Sequence, residues 1–89
     1  MTLHNFLKMH QGGVACVSIH QEPYVLEKHS YAKTYCEEVD QERVMNMACY
    51  KEIKKMQVDH FKVIGGGMYP VELCICLKRE EEQKRNRND

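Results

Sequence analysis

Two cysteines and one histidine are the residues whose types and spacing come nearest to a metal site. Cys74 and Cys76 are separated by one residue, so a strand would place both thiols on the same face. His60 is the nearest histidine that could join them. A structural zinc site needs four ligands, and the sequence has no second pair of cysteines at ligand spacing. We therefore predict no bound metal, and we expect both thiols to lie on a half-buried face of a strand.

Nucleophilic catalysis would need a cysteine beside a histidine that a third group orients. The sequence contains five cysteines and five histidines among 89 residues, so chance pairs, such as Cys16 with a histidine, are expected. None of the histidines shows the His-Glu-x-x-His spacing of a metallohydrolase helix. The sequence therefore predicts no catalytic residues and no cofactor, and it favours a protein that is not an enzyme.

The glycine run at 65–67 could suggest a phosphate-binding loop, but it lacks the lysine and the following helix of such a loop. The next residues lead through Pro70 into a strand, so the glycines predict a long connection within a β-hairpin. Exposed loops of this kind often carry recognition. Met68 and Tyr69 at the tip are candidate binding residues, because methionine and tyrosine make adaptable, partly apolar contacts.

A cluster of carboxylates gives a second candidate binding surface. It consists of Glu37, Glu38, Asp40 and Glu42. Negative charge in this density could imitate nucleic-acid phosphates toward a basic protein surface. The alternative interpretation is a solvated helix end, which is the usual explanation of a charge run.

The positive charges of the next segment form a small basic patch. It consists of Lys51, Lys54, Lys55 and Lys62. The chain has 13 basic and 13 acidic residues and no net charge, unlike a protein that coats nucleic acid. We therefore do not expect direct nucleic-acid binding.

Length and composition limit the chain to one small globular domain. It has 89 residues, and 43% of them are hydrophobic, which suits a packed core. No apolar run approaches the length of a membrane span. The first residues lack the basic start and apolar core of a signal peptide, and the odd number of cysteines does not fit a disulfide framework. We expect a cytoplasmic protein with reduced thiols, most of them buried.

Hydrophobic spacing predicts a helix followed by a hairpin in the first third of the chain. Thr2 can cap a short helix that places Leu3, Phe6, Leu7 and His10 on one face, and Gly12-Gly13 ends it. Residues 14–19 are β-branched and apolar, which predicts a strand buried on both faces. A turn at 21–23 and a second strand at 24–28 would complete an antiparallel hairpin.

Four-residue spacing predicts a second helix over 30–39. Tyr31 and Tyr35 are four residues apart, and Ser30 is a candidate cap. Residues 41–48 could extend this helix after a break. The stretch 50–64 fits either a helix or a strand, and we favour a strand within it.

The clearest strand in the sequence covers residues 71–77, where aliphatic residues alternate with charged residues and thiols. Residues 79–89 contain no apolar side chain and predict a charged C-terminal tail, either a solvated helix extension or a disordered segment. The expected structure is a single α+β domain over 1–78. It has a small antiparallel sheet of about four strands and one or two packed helices.

Three segments of the chain carry a resemblance to known proteins. They are the opening Met1-Thr2-Leu3-x-x-Phe6-Leu7, the buried strand after it, and the closing Val71-x-Leu73-x-Ile75-x-Leu77. Their pattern resembles short accessory proteins encoded by phages and prophages of Gram-positive bacteria. The resemblance implies a setting and transfers no functional residue. Proteins of this kind include inhibitors of host defence, such as anti-CRISPR proteins, and small oligomers that sequester nucleotide signals.

We therefore expect a phage-encoded, non-enzymatic binding protein that acts in the cytoplasm of the host bacterial cell. It would inhibit a host defence protein, such as a nucleic-acid-binding CRISPR effector, by occluding its functional surface. The expected contacts are the acidic cluster at 37–42 and the tip residues Met68 and Tyr69. Two alternatives remain open at this point: a homodimer or larger homo-oligomer that sequesters a nucleotide-type signal, and a small regulatory nucleic-acid binder.

Overall fold

The computed structural model describes residues 1–9 and 16–86. These residues form an α+β fold with a four-stranded mixed sheet and four short α-helices. The helices are α1 (Leu3–Met9), α2 (Gln41–Met45), α3 (Tyr50–Ile53) and α4 (Glu80–Asn86). The strands are β1 (Cys16–Val25), β2 (Ser30–Val39), β3 (Val58–Gly66) and β4 (Tyr69–Leu77). None of the helices in the described ranges has the length and apolar content needed to cross a bilayer.

The strands lie in the order β2-β1-β4-β3, and the two central strands are parallel. β1 pairs with β2 and β3 pairs with β4 in antiparallel fashion, so the sheet consists of two hairpins joined side by side. The α+β class is confirmed, but the prediction of a purely antiparallel sheet is wrong for the central pair. Residues 26–68 lie between β1 and β4 in the chain, so the hydrophobic spacing within either strand cannot predict that the two strands pair.

The hydrophobic core lies between one face of the sheet and helices α1, α2 and α3. The sheet contributes residues of β1, β2 and β4, which are Val17, Ile19, Cys36, Leu73, Ile75 and Leu77. The helices contribute Leu3, Phe6, Leu7, Val44, Tyr50 and Ile53. Burial of these apolar side chains is the main favourable contribution to folding of such a small domain.

The first helix agrees with the prediction from sequence. The Thr2 hydroxyl accepts a hydrogen bond from the Asn5 backbone N–H at 3.3 Å, which satisfies one of the unpaired donors of the first turn. Leu3, Phe6 and Leu7 are buried on one face. The predicted positions of His10, Gly12-Gly13 and the start of the first strand lie outside the described residues.

The predicted helix over 30–39 is wrong, because these residues form β2. The spacing of the less exposed side chains there is nevertheless helical: Tyr31, Tyr35, Cys36 and Val39. In the second half of β2 the register against β1 shifts twice, between the pairs Val17/Val39 and Ile19/Cys36 and between Ile19/Cys36 and His20/Thr34. Each shift places an additional β2 residue in the ladder, so the two-residue alternation is broken and a four-residue spacing appears.

The predicted turn at 21–23 and separate strand at 24–28 are also wrong. β1 continues through this segment to Val25, and the hairpin turns over a short 3-10 helix at Leu26–Lys28. Pro23 is tolerated because the register of β1 shifts between Gln21 and Tyr24, where a bulge needs no ladder hydrogen bond from proline.

The second half of the sheet agrees well with the sequence. The strand expected within 50–64 is β3, which begins at Val58, after the single turn of α3. The glycine run lies at the predicted hairpin, but the long connection expected there is wrong. Gly65 and Gly66 are the last residues of β3, and Gly67 and Met68 form the short turn to β4. All three glycines have positive φ. β4 covers the strand predicted at 71–77.

Part of the predicted charged tail contacts the rest of the domain. Residues 80–86 form α4, and the Gln83 side chain is buried. Its oxygen accepts from the Gln57 backbone N–H at 2.7 Å, and its amide donates to the Gln57 carbonyl at 2.8 Å. The Gln57 side chain also accepts a hydrogen bond from the Met1 amino group at 2.8 Å. Gln57 therefore holds both ends of the described chain against the sheet.

Truncation of a central core residue tests the packing of the sheet. Leu73 is 1% exposed, and we expect Leu73→Ala to lower the free energy of unfolding by about 2–5 kcal/mol, because it removes buried methyl groups and leaves a cavity. The measurement is urea denaturation followed by circular dichroism. Val63 lies opposite Leu73 on β3 and is 59% exposed, so Val63→Ala should change the stability by less than about 1 kcal/mol. Equal effects of the two substitutions would contradict this core.

Candidate functional site

The face of the sheet opposite the core carries many of the side chains that could bind a metal or take part in a reaction. We call it the outer face. It contains alternate residues of the two central strands: Ser18 and His20 of β1, and Glu72, Cys74 and Cys76 of β4. From the edge strands it contains Thr34 of β2 and His60 and Lys62 of β3. Alternation along each strand places these side chains away from the core.

Three side chains from three strands meet on the outer face. Glu22 of β1, His60 of β3 and Cys76 of β4 each offer a polar atom, and these atoms all lie within 4.8 Å of one another. His60 Nε2 is 3.5 Å from Glu22 Oε1, and His60 Nδ1 is 2.6 Å from Asp59 Oδ2. Cys76 is fully buried, whereas the side chains of His60 and Glu22 are 47% and 20% exposed. We call this group the outer-face cluster.

Tyr31 and His20 pack beside the outer-face cluster. The Cys76 thiol donates a hydrogen bond to the Tyr31 hydroxyl at 3.4 Å. The pKa of Tyr31 is raised well above its ordinary value, first by this contact and then by burial. The His20 ring stacks on Tyr31 with 4.5 Å between the ring centroids. Burial lowers the pKa of His20. His20 Nδ1 lies 2.8 Å from Thr34 Oγ1, so a row of contacts crosses the sheet from β2 to β4.

A second set of polar contacts lies near the start of β1. The buried Ser18 hydroxyl donates to Glu72 and accepts from the backbone N–H of Glu38 at 2.9 Å. Glu38 has φ of 51°, in the left-handed region, within the irregular part of β2. The pKa of the Cys16 thiol is raised, first by desolvation and then by nearby negative charge. That charge belongs to Glu72, Glu38 and Asp40.

The sheet topology brings the acidic cluster and the hairpin tip to the same end of the molecule. One row across the four strands consists of Val39, Val17, Leu73 and Val63. β2 and β3 run in the same direction, because each is antiparallel to a central strand and the central strands are parallel. The acidic cluster therefore flanks this row where β2 ends, and the hairpin tip, residues 66–69, lies beyond it where β3 ends. We call these two segments together the binding end.

The four carboxylates of the acidic cluster are exposed, as a binding surface requires. Within the described ranges, Glu37, Glu38, Asp40 and Glu42 form no salt bridge. Glu37 and Glu38 lie on β2, Asp40 is the N-cap residue of α2, and Glu42 lies in the first turn of that helix, so the cluster spans the junction between the strand and the helix. A shallow depression of about 610 Å³ beside them is lined by Val39, Arg43, Asn46 and Met47.

The hairpin tip presents an apolar side chain to solvent. Met68 is 97% exposed, and Ile64 and Val63 on the adjoining part of β3 are 46% and 59% exposed. At about 3.3 Å per residue, the strand from Val63 to Gly66 extends about 10 Å past the row that contains Val63 and Leu73. The backbone of Tyr69 begins β4, and its side chain lies outside the described part of the structure.

The predicted basic patch is divided between the two sides of the sheet. Lys51 belongs to α3, and Lys54 and Lys55 follow it on the side of the core helices. Lys62 lies opposite Cys74 on the outer face. These lysines therefore do not form one continuous surface.

Sequence spacing found part of the outer-face cluster and missed the rest. The sequence indicates His60 as the histidine that could join Cys74 and Cys76, and the structure places His60 and Cys76 opposite each other on neighbouring strands. Cys74 lies outside the group of close ligand atoms. The sequence offers Glu22 only as a chance neighbour of Cys16 and places it in the predicted turn at 21–23. Its position near Cys76 follows from the pairing of β1 with β4. Both thiols are also more buried than the half-buried face predicted, with Cys74 4% and Cys76 0% exposed.

Comparison of the chain with protein-family models, with curated proteins and with solved structures gives no match. The geometry of the binding end and of the outer-face cluster is therefore the basis for inferring a function.

Burial affects the reactivity of the thiols. Burial is the main cause that raises the pKa of Cys74, to about 11, and the neighbouring Cys76 adds to this effect. Burial also raises the pKa of Cys36, whose thiol donates to the Val17 carbonyl at 3.8 Å. A raised pKa keeps a thiol protonated at neutral pH, and the protonated form is a poor nucleophile.

Alkylation distinguishes buried structural thiols from an activated nucleophile. We expect iodoacetamide at pH 8 to modify Cys36 at least about 10-fold more slowly than the partly exposed Cys49 in the native protein, because the Cys36 thiolate is both rare and shielded. Peptide mass spectrometry measures both rates. In 8 M urea, about enough to unfold such a domain, the two rates should become similar. Fast modification of Cys36 in the native state would instead indicate an activated thiol.

Proposed function

We propose that this protein is a non-enzymatic binding protein that occludes a functional surface of a partner protein with its binding end. The observation that carries the proposal is the meeting of two exposed segments, remote in sequence, at one end of the sheet. The acidic cluster supplies negative charge and the hairpin tip supplies an apolar side chain. This combination suits a protein interface with a charged rim and an apolar contact.

The charges of the acidic cluster indicate the chemistry of the partner. Its four carboxylates have no salt-bridge partner within the described residues, so their field extends into solvent. A basic partner surface would gain from this field in association rate and orientation. Surfaces that bind nucleic-acid phosphates have this character. The proposed partner is therefore a nucleic-acid-binding protein whose phosphate-binding surface becomes covered.

The resemblance to short accessory proteins of phages and prophages supports a setting for this activity. In that setting the partner is a host defence protein, such as a CRISPR effector, and the protein acts in the cytoplasm of the infected bacterium. The experiment that identifies the partner is capture from a bacterial lysate on the tagged protein, followed by mass spectrometry of proteins and small molecules. A stoichiometric nucleic-acid-binding protein supports the proposal. Recovery of a nucleotide without a protein contradicts it and favours a homo-oligomeric ligand binder.

Charge reversal tests the role of the acidic cluster. We expect the combined substitution Glu37→Lys, Glu38→Lys and Glu42→Lys to weaken binding of the captured protein at least about 10-fold at low salt. The dependence of Kd on salt concentration should also become flatter, because attraction between opposite charges is lost. The measurement is isothermal titration calorimetry between about 50 and 300 mM salt, where screening changes strongly.

A matched variant controls for the change in net charge. Glu27, Glu52 and Glu81 are exposed and lie outside the binding end, so reversing all three gives the same net charge. This control should bind with nearly the affinity of the unmodified protein. If the variant of the acidic cluster binds as tightly as the control at low salt, the acidic cluster is not part of the interface.

A single substitution tests the hairpin tip. Met68 is 97% exposed, so Met68→Asp should leave the free energy of unfolding unchanged within about 0.5 kcal/mol. It should weaken binding of the captured protein at least about 10-fold, because an anchor in the interface becomes charged. Leu26 is 77% exposed in the β1–β2 connection at the other end of the sheet, and Leu26→Asp is the control. Equal binding by both variants would exclude the hairpin tip from the interface.

A further inference from the structure

The outer-face cluster has the donor atoms of a transition-metal site. Glu22 offers a carboxylate oxygen, His60 a ring nitrogen and Cys76 a sulfur, and these atoms lie within 4.8 Å of one another. Oxygen, nitrogen and thiolate sulfur together are the ligand types that proteins use for Zn²⁺, whereas Mg²⁺ and Ca²⁺ prefer oxygen alone. The three ligands come from β1, β3 and β4, so they are fixed by the pairing of the sheet.

The spacing of the ligand atoms is close to that of a tetrahedral site. Ligands at zinc distances of about 2.0–2.3 Å lie about 3.4–3.6 Å from one another in a tetrahedron. The distance of 3.5 Å from His60 Nε2 to Glu22 Oε1 already has this value. The widest separation in the cluster, at most 4.8 Å, requires a shift of about 1 Å, which the partly exposed side chains of Glu22 and His60 can make by rotation.

Asp59 gives His60 the orientation of a metal ligand. Its carboxylate lies 2.6 Å from Nδ1 of the His60 ring and accepts the hydrogen bond from that nitrogen. In neutral His60 this contact places the remaining proton on Nδ1 and leaves the Nε2 lone pair directed toward Glu22 and Cys76. Histidines that bind zinc commonly donate their other ring N–H to a carboxylate in this way.

The Tyr31 hydroxyl is a hydrogen-bond partner for a metal-bound Cys76 thiolate. It lies 3.4 Å from Cys76 Sγ and can donate a hydrogen bond to the sulfur once the thiol has lost its proton to solvent. The charges of the Cys76 thiolate and the Glu22 carboxylate would balance the two positive charges of the metal. Binding therefore releases the thiol proton to solvent, and no electron transfer is involved.

We propose that Glu22, His60 and Cys76 bind one Zn²⁺ ion on the outer face, with water in the fourth position. His60 lies at the exposed side of the cluster, so solvent can reach the metal there. The site is separate from the binding end, because the row of His60 and Cys76 lies toward the other end of the sheet from the row of Val63 and Leu73. Zinc binding at this site is therefore independent of binding to the partner protein.

Zinc titration of the chelator-treated, reduced full chain tests the site. We expect one equivalent of Zn²⁺ to bind, with proton release and a rise in Tm. Cobalt substitution should give the absorption of a thiolate-bound tetrahedral Co²⁺ ion. His60→Gln should weaken zinc binding at least about 100-fold, and Asp59→Asn about 10–100-fold by loss of ring orientation. Glu22→Gln should also weaken binding, since it removes one anionic ligand.

Matched variants separate this site from adventitious binding by other thiols. Cys74→Ser removes a neighbouring buried thiol on the same strand, and His29→Gln removes an exposed histidine elsewhere, so both should retain one bound equivalent. Cys76→Ser should abolish the cobalt–thiolate absorption. Since Cys76 is buried and its replacement could disturb packing, the exposed His60 provides the decisive variant. Undiminished zinc binding by His60→Gln, or no binding by the unmodified protein, would overturn the proposal and leave His60 as an ion-pair partner of Glu22 and Asp59.

Discussion

The parallel pairing of β1 with β4 is the constraint on which the rest of the structure depends. It places Val17 and Ile19 opposite Leu73 and Ile75, so the centre of the core forms where the two strands meet. The same pairing buries Ser18 and the two thiols of β4 on the other face. Each central strand brings an antiparallel partner, and these partners become the two edges of the sheet. A small domain with a limited core gains most from such a pair, because both faces of its central strands exclude water.

The sequence predicts those elements whose pattern is regular and local. Three features are of this kind: the cap and apolar face of α1, the alternation of β4, and the presence of a hairpin turn at the glycines before β4. The sequence wrongly predicts a helix where β2 lies, because bulges opposite β1 convert strand alternation into a four-residue spacing. The central parallel pair could not be predicted, since it joins segments at opposite ends of the chain. The same non-local pairing explains why Glu22 was not recognised beside His60 and Cys76.

Two groups of residues with different chemistry lie toward opposite ends of the sheet. At the binding end, exposed carboxylates and an exposed methionine form the surface that we propose for a partner protein. Toward the other end, the outer-face cluster brings together an oxygen, a nitrogen and a sulfur atom that are fixed by hydrogen bonds and pairing. β4 passes through both regions, since Glu72 lies near the acidic cluster and Cys76 lies in the outer-face cluster. A change in β4 can therefore affect both regions, and so can a change in β2, which carries Tyr31 beside Cys76 and Glu37 in the acidic cluster.

The position of Gln57 links two parts of the structure that are remote in sequence. Met1 and Gln83 both bind Gln57, so the first residue and the last described helix meet at one point beside the start of β3. This meeting point lies away from the binding end, because β3 begins at the opposite end of the sheet from its tip. Loosening of α4 would therefore leave the Gln57 backbone N–H without its partner, while the strand pairings that position the acidic cluster and the hairpin tip stay unchanged.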